Sequence, residues 1–436
     1  MANQSTNHNQ HEAVIVDGAR IPFQRSGTGY KKLMAYDLGR MAIEGLIGRS
    51  AIDGRDIDRI IMGCVIQDVN TSNVARESAM GAGLPKSIPA HTVTQACISS
   101  NQAVSSAVNL IRSGQARVVL AGGTETMSDI PIRFRRKFRR KLLDAQKYKS
   151  ISDWLSFFKG LRPSDVLPEV PSIEEFSTGE TMGESCDRMA AHFGISRKAQ
   201  DEYALRSHQL AARATSEGWL EPELLPAGVP PDFETIEQDN GFREDTSMEK
   251  LSKLNPAFIK PHGTVTAGNS SFLTDGASAS LIMEEEKARE LGLTPRAYLR
   301  EYTYVAQDPV DELLLGPAYA TPKVLDSMGL TLTDIDVFEF HEAFAGQILT
   351  VLKALDSEKF AREKLGREQK VGAVPMDRFN CWGGSLSLGH PFGATGARLV
   401  TTAANRLHHE DGTLALVAAC AAGGQGHAMV LERYPA

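Results

Sequence analysis

The chain has 436 residues, 42% of them hydrophobic and 23% charged, with a formal net charge of −7. That length predicts about two to three domain-sized units, and the balance predicts a packed globular protein that needs no disulfide staples. The acidic balance argues against a general nucleic-acid binder, and five cysteines with no C-x-x-C pair indicate neither a disulfide framework nor a zinc cluster.

The opening "MANQSTNHNQHEA" is polar, with no apolar h-region and no arginine. It reads as a frayed tail rather than a secretory signal or a mitochondrial transit peptide. No apolar run approaches the length that spans a membrane. Together with reduced thiols, this leads to the expectation of a cytoplasmic protein.

In the first half, "AVIVDGA" reads as a strand, "AYDLGRMAIEGLIGRS" as a helix, "DRIIMGCVI" as a strand and "ARESAMGAGLP" as a helix with a Gly/Pro stop. A short β-type run, Thr92 to Gln95, then feeds into a helix whose Ala103, Val104, Ala107, Val108 and Ile111 recur at helical spacing. "ARVVLAGG" is another strand. From about residue 128 to 262 the character changes to helix and loop, an excursion that returns at "VTAGNSSFLTDGASASLIM". In the second half, "PKVLDSMGL" is helical, "DIDVFEFHEAFA" runs from strand into helix, and "GGSLSLGHPFGATGAR" is a glycine-punctuated loop entering a helix. "GTLALVAACAAGGQGHAMVLER" reads as two strands around a glycine turn. The order of elements matches between the halves, so an internal duplication of one α/β unit is expected.

Four features carry reactive groups. Cys97 stands at a strand-to-helix junction, where a helix N-terminus lowers a thiol pKa; a buried structural cysteine is the bland alternative. His390 is gripped by Gly389 and Pro391 in a loop of small residues, an arrangement that favours close approach of another segment. Cys420 ends an apolar strand beside a glycine turn whose free N–H groups suit an oxyanion hole, or it is simply core. His341 and Glu342 follow an apolar strand, either as paired functional groups or as a helix start with Glu342 at the positive end. All four lie at strand C-termini, where open α/β sheets bind ligands.

Read together, these motifs resemble the thiolase family. The match runs from "ARIPF" to "CAAGGQG" and includes the Cys97 stretch, "GHPFGATGAR", "AGGTETMS", "RKAQDEYALRSHQLA", "VTAGNSSFLTDGA" and "HEAFA". The resemblance implies an α/β thiolase fold: a duplicated unit giving a five-layered αβαβα sandwich, with a helical loop-domain insert. The N-terminal domain is expected over 13–290, with the insert at 128–262, and the C-terminal domain over 291–436. It also implies roles. Cys97 becomes the acyl-carrying nucleophile, His390 its base and an oxyanion donor, and Cys420 the second acid/base. His341, where many thiolases have asparagine, holds an oxyanion-hole water. Ser271 contacts the pantetheine arm. The backbone N–H of Ala422, where many thiolases have glycine, joins that of Cys97 in a second oxyanion hole, provided φ there stays negative.

Histidine opening "HEAFA", "CAAGG" near the end and the basic-then-aromatic insert resemble the thiolase β subunits of fatty-acid oxidation complexes. The implied activity is cleavage of 3-ketoacyl-CoA by CoA, giving acetyl-CoA and an acyl-CoA two carbons shorter. Acetoacetyl-CoA synthesis by an acetyl-CoA C-acetyltransferase, and a non-catalytic scaffold subunit, are the alternatives. No metal and no tightly bound cofactor are expected; CoA is the co-substrate. A homodimer core, a hydratase/dehydrogenase α subunit and no nucleic acid are the expected partners. "RFRRKFRRK" packs Arg133, Arg135, Arg136, Lys137, Arg139, Arg140 and Lys141 into nine residues. Trp154, Leu155, Phe157, Phe158 and Leu161 follow. Residues 132–161 are expected to touch a membrane surface, such as the inner membrane, or a partner.

Overall fold

Most strands are buried on both faces, and the architecture shows why. In the computed structural model, which describes residues 11–169 and 173–435, helices cover the strands on both sides. Residues 1–10, most of the tail read as frayed, lie outside the described residues. The first half contributes β1 (Ala13–Arg20), β2 (Arg59–Gly63), β3 (Ala90–Val93), β4 (Val118–Glu125) and β5 (Thr274–Glu284). The second contributes β6 (Ala297–Ala306), β7 (Val337–Phe340), β8 (Leu414–Ala421) and β9 (Gln425–Arg433). Their spatial order is β7-β8-β9-β6-β1-β5-β4-β2-β3, and the short strand Gln24–Arg25 also pairs with β5.

The duplication is visible in the pairing senses. β2 and β4 are parallel, as are β7 and β8. β4–β5 and β8–β9 are both antiparallel, and so are β5–β1 and β9–β6. β3 pairs parallel with β2, and its counterpart in the second half is reduced to one parallel bridge, Phe338 to Phe379. The halves join where Val14 and Ile15 of β1 meet Tyr298 and Ala297 of β6.

The helices sort into three layers. α1 (Ala35–Ser50) and α2 (Val74–Gly81) cover one outer face through Leu38, Ile43 and Ala79, against Ile60 and Leu120. α3 (Ser99–Arg112) and the late helix Thr395–His409 lie in the middle, where Val104, Val108, Val400 and Leu407 meet Ile61, Val119 and Val417. Gly316–Met328 and Ala345–Leu355 cover the other face through Val324 and Ile348, against Phe340 and Leu416. Adjacent residues such as Ile60 and Ile61, or Leu416 and Val417, face different cores because side chains alternate along a strand. Each fully buried Val, Ile or Leu of this middle layer contributes about 1.5–3 kcal/mol.

The insert does not stay with the half it leaves. After α4 (Arg136–Ala145) and α5 (Ile151–Phe158) come α6 (Met182–His192) and α7 (Arg197–Ser216), whose Cys186, Met189 and Tyr203 sit in the core of the second half. The three later helices named above then follow in order as α8 (Gly316–Met328), α9 (Ala345–Leu355) and α10 (Thr395–His409). α4 buries none of its residues and α5 buries Phe157 alone, which meets Phe138 edge-on with ring centroids 5.9 Å apart. Ile151, Trp154, Leu155 and Phe158 face outward. Among the described residues no helix is long and apolar enough to cross a membrane.

Candidate active site

Cys97 sits between β3 and α3. The residue before it, Ala96, takes the left-handed φ of 45°, a conformation that costs energy for a residue with a Cβ and persists only when its surroundings impose it. Ser99 imposes it: its hydroxyl accepts the N–H of Gln95 at 2.8 Å and donates to the carbonyl of Ala96 at 2.7 Å. The sequence predicted a thiol lowered by the helix N-terminus. The structure reverses that expectation. Burial pushes the Cys97 thiol up to about 11, outweighing the backbone N–H groups of Ala422 and of Cys97 itself, which pull it down. The resting group is therefore a thiol that needs a base.

Two histidines of the second half come to it. His390 follows Gly389, whose φ of 108° and whose contact with Thr274, 2.8 Å from where a Cβ would lie, leave no room for a side chain. The His390 N–H donates to Thr274 Oγ1 at 2.9 Å, and its Nδ1 meets Thr395 Oγ1 at 2.6 Å. Thr395 in turn donates to the carbonyl of Pro391 at 3.0 Å. Burial, then the charge of Arg398, pushes His390 down to about 3. His341 follows β7, and its Nδ1 lies 2.9 Å from Ser385 Oγ. Burial, then His390 and Arg398, hold it well below the usual imidazole range. The two rings are tilted by 39° with centroids 4.0 Å apart. Both Nε2 atoms are buried with no hydrogen-bond partner. These two rings and the sulfur of Cys97 present their reactive atoms within 4.8 Å of one another, which is also a spacing seen among metal ligands. Two neutral imidazoles beside a thiol supply one proton acceptor and one hydrogen-bond donor.

Cys420 is the buried penultimate residue of β8. Burial, then the neighbouring Cys97, keeps its thiol well above the ordinary range, so at neutral pH it is a proton donor. Ala422 does not need glycine's freedom: the left-handed positions of this turn are Gly423 and Gly424, at φ 85° and 64°. Its N–H and that of Cys97 both bear on the Cys97 sulfur.

Ser271 is half-buried and donates its N–H to the carbonyl of Ala343 at 3.0 Å. Beside it opens a small cleft lined by Arg25, His208, Arg243, Lys250, Ser270 and Phe272. The Arg25 guanidinium lies 4.0 Å from the Phe272 ring centroid. Burial, then Arg243, lowers the pKa of Arg25, and burial with both arginines pushes His208 down to about 4. Crowded cations of this kind are relieved by an anion.

Of the two carboxylates that hold this site together, sequence reasoning passed over Glu125 and left Glu342 open between a functional group and a helix start. Glu125, at the end of β4, accepts the N–H groups of Val65 at 3.1 Å, Ile66 at 2.9 Å and Gly393 at 2.9 Å. It thereby ties the His390 loop to the first half, while burial pushes its carboxyl up to about 7. Glu342 is not a helix-start residue. It is buried and accepts from Tyr203 Oη at 2.7 Å, Ser207 Oγ at 2.8 Å and Asn380 Nδ2 at 2.7 Å. A carboxylate at the end of an apolar strand run was the available signal for both.

The family model "Thiolase, N-terminal domain" matches residues 13–286, and "Thiolase, C-terminal domain" matches residues 293–433. The chain is 61% identical over 427 residues to "Trifunctional enzyme subunit beta, mitochondrial" of Bos taurus, covering 98% of this chain and 89% of that protein. It is 53% identical over 429 residues to "Probable 3-ketoacyl-CoA thiolase" of Caenorhabditis elegans, covering 98% and 95%. Among solved structures, the acetyl-CoA acetyltransferase of Bacillus anthracis superposes with a TM-score of 0.83 at 30% identity, covering 97% of this chain and 99% of that one.

Proposed function

This chain belongs to the thiolase family, and from that premise we propose that it is a 3-ketoacyl-CoA thiolase acting in fatty-acid β-oxidation. The observation that carries the reading is the meeting of Cys97 from the first half with His341 and His390 from the second, within 4.8 Å. The chemistry follows from the protonation states. His390 Nε2 takes the Cys97 proton as the sulfur attacks the 3-keto carbon. The C2–C3 bond breaks, and its electron pair moves into the thioester as an enolate. The enolate oxygen is held by the protonated His390 and by a water on His341. Cys420 gives its proton to C2, and acetyl-CoA leaves.

The acyl group remains as a thioester on Cys97, its carbonyl oxygen facing the N–H groups of Cys97 and Ala422. Cys420, now a thiolate, takes the proton of the incoming CoA thiol. CoA attacks the acyl carbon, and Cys97 departs and recovers its proton from His390. The order of release predicts ping-pong kinetics. Ser271 lies along the path of the pantetheine arm, and Arg25 and Arg243 offer charge for CoA phosphates.

The relative named as a trifunctional-enzyme subunit leads us to place a hydratase/dehydrogenase α subunit beside this chain, with a homodimer as its core. The outward-facing Trp154, Leu155 and Phe158, next to the basic run 133–141, suit an anionic membrane surface. The five free cysteines suit a reducing compartment, and we place the protein in the cytoplasm, peripheral to the inner membrane. Thiolysis of a 3-ketoacyl-CoA series, with and without such a partner, tests the activity. Cleavage restricted to acetoacetyl-CoA would favour the acetyltransferase alternative. Mass spectrometry after incubation with acyl-CoA should find an adduct on Cys97, and its absence would restore the scaffold reading.

A further inference from the structure

The role of His341 depends on which ring nitrogen carries its proton, and Ser385 decides that. Ser385 Oγ has two neighbours: His341 Nδ1 at 2.9 Å and Arg398 Nη2 at 3.1 Å. A guanidinium only donates, so the Arg398 N–H must point at the serine oxygen. The serine hydroxyl then has one proton left to place. Given to His341 Nδ1, it pairs both the hydroxyl and Nδ1 and puts the imidazole proton on Nε2, the nitrogen that no side chain of the protein engages and that is left for the oxyanion site. In the other tautomer, His341 Nδ1–H and Arg398 would both donate to Ser385, and the hydroxyl proton would have no acceptor in a fully buried site. A buried donor left unpaired costs about 1–3 kcal/mol.

Arg398 is itself fixed. It is fully buried, and its Nη1 faces Glu339 Oε2 at 3.5 Å; Glu339 also receives Arg406 Nη1 at 2.7 Å. We propose that Arg398 and Ser385 are positioning residues that hold His341 as the Nε2–H tautomer, so that it presents a donor to the oxyanion site while the neighbouring His390 presents an acceptor. This deepens the proposed thiolase reading and rests on it. It also explains how two adjacent neutral imidazoles divide their work, and why His341 meets the site as a donor rather than as a metal ligand.

The test is 15N NMR of histidine-labelled full-length protein, with His341 assigned by the signal lost in His341→Asn. The expected spectrum has a protonated Nε2 and an unprotonated Nδ1; the opposite pattern overturns the proposal whatever the enzyme's activity. The kinetic arm follows exchange of acetyl-CoA α-protons with D2O, which reports enolate formation. Ser385→Ala should slow it about 10-fold, the scale of losing an orienting hydrogen bond behind a functional histidine. Alkylation of Cys97 should not change. In the His341→Asn background, where an amide donor has no tautomer to fix, adding Ser385→Ala should change the exchange rate less than about twofold. An equal loss in both backgrounds would mean that Ser385 is merely structural. Absence of any Cys97 acyl adduct in the unmodified enzyme would instead overturn the thiolase reading and leave the tautomer result standing.

Discussion

At the scale of single residues, the site is a set of groups that burial holds neutral: thiols beside imidazoles, with no preformed ion pair. Cys97 is a thiol pushed up to about 11, and His390 is an imidazole pushed down to about 3, in both cases chiefly by burial. A preformed thiolate–imidazolium pair is disfavoured, and the proton moves as the carbon–sulfur bond forms. The sign has a direct consequence. Because the thiol pKa is raised, the thiolate fraction at neutral pH is small and grows with pH. Iodoacetamide alkylation of Cys97 in the free enzyme should climb about tenfold per pH unit through pH 9, where an ordinary thiol near 8.5 is already levelling. A plateau near pH 8 would show a preformed ion pair. The residues that meet here were legible as candidates in the sequence, because Cys97, His390, Cys420 and His341 each stand beside glycine, proline or a strand end. Their environment was not. The helix N-terminus at Cys97 suggested a lowered pKa, but desolvation is set by segments hundreds of residues away. The partners that fix ring orientation, Ser385 and Thr395, looked like ordinary small residues.

At the scale of elements, the decisive feature is how closely β4 and the His390 loop approach. A Cβ on Gly123 would lie 1.8 Å from the carbonyl oxygen of Gly393. Two residues on, Glu125 accepts the Gly393 N–H at 2.9 Å. Gly123→Ala must therefore push the loop away from the strand and move His390 with it. A displacement of about 1 Å at a reacting group costs on the order of 100-fold in rate. Steady-state thiolysis should show that loss mainly in kcat, together with a lowered melting temperature; an unchanged kcat would contradict the contact. The α4–α5 hairpin makes the opposite case. It contributes one buried side chain, Phe157, and shows Ile151 82% exposed and Leu155 71% exposed. Replacing residues 132–161 by a short linker should weaken binding to anionic liposomes or to the partner subunit while leaving short-chain thiolysis within about twofold, since none of its side chains is part of the site; undiminished binding by both measures would remove the proposed docking role. Strand and helix periods made these elements legible, and the change in composition near residue 128 marked the insert. That α6 and α7 pack on the second half was not legible, because a helix's apolar stripe does not say which core it joins.

At the scale of the whole molecule, the two halves repeat one pattern but do not behave as separable bodies. The middle layer holds α3 from one half and α10 from the other, and Val104, Val108, Val400 and Leu407 share a single core. The strands run on across the β1–β6 junction. The insert of the first half buries Cys186 and Tyr203 in the core of the second. Arg20 of β1 pairs with Glu223 at 2.7 Å and with Asp239 at 2.6 Å, both on the insert's return path. Unfolding either half alone would expose the middle core and leave buried charges without partners, each a cost of several kcal/mol. Calorimetry should therefore give one endotherm, with loss of near-UV circular dichroism and exposure of the buried Cys64 and Cys186 to alkylation at the same midpoint. Two resolved transitions, or Cys64 exposed before Cys186, would show that the duplicated units fold independently. The repeat was readable from the order of strands and helices. The coupling was not, since it lies in which faces of those elements meet, and the same coupling brings Cys97 of one copy to His341 and His390 of the other.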